Sequence, residues 1–141
     1  MLEWWKDLFR PIRVSDRRFG QLRFLRDARF WEGRAAFRPT HGQVEVLIHG
    51  SRSGPTDAQR SFFDEVERRY TELWPAVLAS LGDESKRVEL VASEFELVCV
   101  DIPETPGPTV EWQLSYETHP RSWHFTVTMQ DWRPQSVLAE C

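Results

Sequence analysis

TDAQRSFFDEVERRYTELWPAVLASL, residues 56–81, has a helical period, whereas the flanking sequence on both sides has the period of strands. Phe62, Phe63, Val66, Tyr70, Leu73, Trp74, Val77, Leu78 and Leu81 fall on one stripe. Asp57, Arg60, Asp64, Glu67, Arg68 and Thr71 lie opposite, so one face of a long helix packs on a sheet. Thr56 followed by Gln59 is a capping box: the hydroxyl takes one orphan N–H and the amide returns a bond to the cap. Pro75 has no N–H for the carbonyl four residues back, which predicts a kink or break near Thr71, and Gly82 is the expected stop.

Upstream, three short alternating stretches, Phe19 to Leu25, Phe30 to Phe37 and Gln43 to His49, read as an antiparallel meander. Gly20 and Gly33 inside them mark bulges or close backbone approaches. Downstream, Glu94 to Ile102 is apolar on both faces and reads as a central strand covered on both sides. Residues 109–117 and 123–130 alternate cleanly. A register with Glu117 opposite His124, Tyr116 opposite Phe125 and Trp112 opposite Met129 keeps like facing like, and a one-residue slip would not. Val137-Leu138-Ala139 after Pro134 adds a short edge strand. Trp4, Trp5, Leu8 and Phe9 suggest a short N-terminal helix within a lead-in covering residues 1–16. The expected fold is one α+β domain over residues 1–141. An antiparallel sheet of about six strands, in βββ-α-βββ order, packs on one long kinked helix, with a short N-terminal helix.

With 40% hydrophobic and 28% charged residues, 9 Phe and 7 Trp, the chain is far from the composition of disorder. Charge is polarised: residues 1–40 carry 10 basic and 5 acidic side chains, net +5, and the remainder 8 and 17, net −9. A net charge of −4 and the lack of a Lys/Arg run argue against nucleic acid as partner. Aromatics between arginines, as in Arg23-Phe24-Leu25-Arg26 and Arg29-Phe30-Trp31, could stack on single strands, but a half-buried strand has the same pattern. The mixed charges of the N-terminal segment leave no signal peptide or membrane span, so a cytoplasmic protein is expected. Cys99 and Cys141 match neither a disulfide framework nor a metal motif, and burial should make Cys99 inert.

No catalytic, metal or cofactor motif stands out. The turn Ser51-Arg52-Ser53-Gly54, running into the helix N-terminus, is the candidate ligand site, suited to an anion or small ligand. It is neither a phosphate-binding lysine loop nor a nucleophile elbow. His119, His124 and Glu117 come close on the last hairpin, where a Glu117–His124 cross-strand pair worth about 0.2–1 kcal/mol is the simpler reading than metal. Asp64, Glu67 and Glu72 on the polar side of the helix are the candidate protein-binding residues, through charge complementarity.

Phe19-Gly20-Gln21-Leu22, the Trp31 to Gly33 turn region, Gly54-Pro55-Thr56 to Gln59, Glu111 to Tyr116 and Trp123 to Met129 together resemble small bacterial domains of unknown function. Some of these look like immunity proteins of toxin systems. The resemblance spans residues 17–138 and rests on structural motifs, so it brings no catalytic residues. It implies a fold more than a function; the leading functional expectation is a non-enzymatic protein-binding domain, an immunity-like inhibitor. The alternatives are a small enzyme or anion binder using the loop at residues 50–56, and a subunit of a homo-oligomer.

Overall fold

The computed structural model describes residues 12–92, 94–120 and 122–141. Eight strands form one sheet in sequence order: β1 (Ile12–Asp16), β2 (Gly20–Leu25), β3 (Phe30–Phe37), β4 (Gly42–His49), β5 (Glu94–Ile102), β6 (Trp112–His119), β7 (His124–Gln130) and β8 (Arg133–Glu140). A 3-10 turn, Arg38–Thr40, joins β3 to β4, and the helix α1 (Asp57–Arg87) joins β4 to β5. All neighbouring pairs are antiparallel except β4 and β5, which are parallel.

The parallel pair follows from the helix. At 1.5 Å per residue, the 31 residues of α1 span about 46 Å. The chain therefore leaves the end of β4, crosses the sheet and starts β5 beside the beginning of β4, as a helical crossover requires. The fold is α+β with one long helix on an eight-stranded mixed sheet, not about six antiparallel strands.

Several expectations need correcting. Residues 12–16 of the expected lead-in form strand β1; the expected N-terminal helix around Trp4 to Phe9 lies outside the described residues. The edge strand β8 takes in Pro134 and runs well beyond Val137–Ala139. The helix is continuous through Pro75 and past Gly82. It ends instead in a glycine-free cap, in which Leu90 N–H donates to Ser85 O at 2.9 Å and Glu89 N–H to Lys86 O at 3.1 Å, with Glu89 at φ 57°.

The continuous apolar run in β5 reflects a bulge rather than cover on both faces. Register shifts between Leu97, opposite Tyr116, and Cys99, opposite Ser115. Leu97 and Val100 therefore join the core, while Cys99 shares the outer row with Glu45 and Ser115. The hairpin β6–β7 has the expected register, Glu117 opposite His124 and Trp112 opposite Met129.

The core lies between α1 and the inner face of the sheet. Phe63, Val66, Val77 and Leu81 are fully buried, whereas Leu78 is 42% exposed and drops off the expected stripe. Gly33 serves a close approach: a Cβ there would lie 2.6 Å from Gln21 O and 2.7 Å from a Leu22 methyl. Among the described residues, several basic side chains of the N-terminal part pair with carboxylates of α1. Asp16, buried at the end of β1, accepts from Arg60 Nη2 at 2.6 Å and from the N–H groups of Arg18 and Phe19. Arg17 reaches Asp57 and Arg18 reaches Asp64, which clamps the β1–β2 turn onto α1. No helix among the described residues is long and apolar enough to cross a membrane.

Candidate functional site

Both places singled out from sequence take definite form. At the C-terminal ends of β4 and β5, Gln59 does more than cap. Its amide completes the box, accepting from Thr56 N–H at 3.0 Å while Thr56 Oγ1 accepts from Gln59 N–H at 3.1 Å. Its Nε2 then donates to His49 O at 2.7 Å and Pro103 O at 3.0 Å, stitching the two strand ends together. The capping box thus occupies the N–H groups of Thr56 and Gln59 at the start of the helix. Ser51, Arg52, Ser53 and Gly54 form a tight turn beside it: Ser51 Oγ and Ser53 Oγ share a 2.7 Å bond, and Gly54 N–H donates to Ser51 O at 3.2 Å.

On the outer face of the same end, His49 Nε2 and Asp101 Oδ1 are 2.8 Å apart. Burial pushes the Asp101 carboxyl up, and the neighbouring His49 pulls it back only in part. Ser51 Oγ is engaged with Ser53 and not with His49, so these groups do not form a nucleophile-and-base relay. Cys99 is buried; burial first, then Glu45 and Asp101, push its thiol up to about 12, which makes it inert as expected.

The helix carboxylates behave differently from one another. Glu67, with 8% of its side chain exposed, takes Arg18 Nη2 at 3.3 Å, Arg38 Nη2 at 3.2 Å and the Arg38 N–H at 3.0 Å. Asp64 takes Arg18 Nε at 2.5 Å. Asp64 holds the β1–β2 turn to α1, and Glu67 holds both that turn and the 3-10 turn. Glu72 remains exposed.

The feature that pattern reading missed is at the other end of the parallel pair. The ladder joins only Glu45–Ile48 to Cys99–Ile102, so Gly42–Val44 and Glu94–Val98 part from each other before it begins. Between them opens a cleft of about 490 Å³. Tyr70 and Trp74 of α1 form its floor, Phe95 and Leu97 one wall, Gln43 and Thr40 the other, and Glu94 and Glu96 its rim. The rings of Tyr70 and Trp74 stack at 6.1 Å and 26°. Under them the Tyr70 and Tyr116 hydroxyls share a 2.7 Å bond. Burial pushes Tyr70 up to about 12 and Tyr116 well above its ordinary value, so both stay neutral.

The rim continues as an acidic band on the outer face. Glu96 is directly opposite Glu117, Glu117 opposite His124, and His124 opposite Glu140. All four are exposed. Like charges in opposed positions oppose strand pairing unless a cation intervenes. His119 Nε2 lies 2.9 Å from Glu96 Oε2, and that bond, with Glu94 and Glu117 nearby, raises its pKa. Among the described residues no three His, Cys, Asp or Glu side chains are grouped to hold a metal ion. Sequence patterning placed Trp74 in the core stripe, and no signal short of recognising the parallel crossover would have opened the cleft beside it.

Comparison of the chain with protein-family models, with curated proteins and with solved structures finds no match in any of the three.

Proposed function

We propose that this is a non-enzymatic protein-binding domain whose acidic end captures a basic partner, with the cleft between β4 and β5 accepting an arginine or lysine side chain. The observation that carries this reading is the Trp74 and Tyr70 floor rimmed by Glu94 and Glu96. Aromatic faces attract a cation through the ring quadrupole, and carboxylates at the mouth steer it and pair with it. A guanidinium on a flexible stem suits a slot of about 490 Å³ with an apolar floor and a charged rim. Buried arginine anchors are a common way for a partner to concentrate binding energy in one pocket. The opposed Glu96 and Glu117 support the same reading, because a cationic partner would relieve the repulsion that His119 relieves only when protonated. An immunity-like inhibitor that blocks a basic, toxin-like protein is the specific form of this function, in keeping with the motifs that resemble such immunity proteins.

The test uses an arginine-rich peptide and its citrulline counterpart, which keeps the shape and removes the charge. Binding read by tryptophan fluorescence should favour the arginine peptide at least tenfold, weaken as salt rises, and fall at least tenfold in Trp74→Ala and in the double variant Glu94→Gln/Glu96→Gln. Equal binding of the citrulline peptide, or full affinity in both variants, would refute it.

A further inference from the structure

The opposite end of the parallel pair gathers arginines as this end gathers carboxylates. The β2–β3 turn contributes Arg26 and Arg29, and the turn after β4 contributes Arg52. With Phe24 and Ser51 they line a cavity of about 270 Å³. Asp27 is the only acidic residue in the two turns, so their net charge is positive. The turns are fixed to one another, because Gly50 N–H donates to Arg29 O at 3.1 Å and the Trp31 indole N–H donates to Ser51 O at 2.9 Å.

Arg29 itself is held at φ 55°, with its N–H donating to Leu25 O at 2.9 Å. This is the left-handed position that such hairpin loops ordinarily give to glycine, and a long side chain there carries a backbone cost. The cost is understandable if the guanidinium is needed at that place. Arg29 and Arg52, which line the same cavity from linked turns, carry forked N–H donors of the kind that match the oxygens of a phosphate dianion.

From these contacts we infer that the Arg29–Arg52 cavity is a binding site for a phosphate dianion, either free phosphate or the phosphate of a small organic monoester. It goes beyond the capture of a basic partner and stands at the other end of the sheet, so either can fail alone. The Ser51 to Gly54 turn contributes Arg52 and a rigid anchor. The helix N-terminus, where the capping box occupies the Thr56 and Gln59 N–H groups, does not line this cavity.

The experiment is amide NMR titration of the full chain with inorganic phosphate, with phenyl phosphate, and with sodium chloride at matched ionic strength. Saturable shifts confined to residues 26–29 and 50–54 are expected with both phosphates and not with chloride. Tighter phenyl phosphate binding would identify an organic monoester as the ligand, and equal binding free phosphate. Arg52→Gln should weaken binding at least fivefold. Arg29→Gly should do the same while raising the melting temperature, a combination that a purely structural Arg29 would not give. Shifts equal to those of chloride, or unchanged affinity in both variants, would overturn the site.

Discussion

The two ends of the β4/β5 pair share one helix and one ladder, yet one is sewn shut and the other left open. At the C-terminal end Gln59 holds both strands by their carbonyls, and the surface around it is rich in arginine. At the N-terminal end the strands part, aromatic rings form the floor and glutamates the rim. The difference teaches that a parallel pair need not be hydrogen-bonded along its whole length. Where one buried amide spans the gap the sheet closes, and where the β4–β5 ladder stops at Glu45 and Cys99, next to the bulge in the β5–β6 pairing, a cleft appears.

The largest effect is expected from breaking the closed end. Gln59→Leu leaves the half-buried carbonyls of His49 and Pro103 and the Thr56 N–H without their partner, and should cost about 3 kcal/mol in urea unfolding. A loss below about 1 kcal/mol would mean that Gln59 is not what closes this end.

The floor of the open end comes next. Tyr116→Phe leaves the buried Tyr70 hydroxyl without its partner and should cost about 1–2 kcal/mol. The double variant Tyr70→Phe/Tyr116→Phe should recover much of this, since removing both members of a buried pair strands neither. Strict additivity would show that the two hydroxyls are not coupled.

Smallest in stability, but informative about binding, is the rim. His119 has a raised folded pKa, so its contribution is fully present below its ordinary 6.5 and fades as pH climbs through the raised value. In Glu96→Gln an NMR titration should find the His119 pKa moved back towards its ordinary value. Because the imidazolium competes for Glu96, affinity for the arginine peptide should rise as His119 loses its proton. A flat pH profile would detach Glu96 from the cleft's function.

Much of the fold was legible because periodicity reports burial. The strands β2 to β5, the β6–β7 register and the Thr56–Gln59 box each follow from side-chain pattern, which backbone geometry then obeys. What was lost lies where pattern and geometry part. The Schellman-type cap uses Glu89 where a glycine signal was sought, and Gly82 sits harmlessly inside the helix. The strand β1 carries only Ile12 and Val14 as apolar marks among polar residues. Parallel pairing of β4 and β5 follows from the single-helix crossover, but six antiparallel strands fit the same alternation. The candidate site suffered most from this. Asp64 and Glu67 look like free helix charges until Arg18 and Arg38, distant in sequence, are brought onto them. Trp74 and Phe95 look like core until the strands part.

The central claim, that the open end is the cation-binding end, is tested most directly by mapping where an arginine-rich peptide perturbs the amide and indole NMR signals of the full chain. The account predicts shifts at the Trp74 indole, at Gly42 and Gln43 and along Glu94–Leu97, with residues 26–29 and 50–54 unmoved. Shifts centred on Asp64, Glu67 and the β1–β2 turn, or none at the Trp74 indole at saturating peptide, would contradict it.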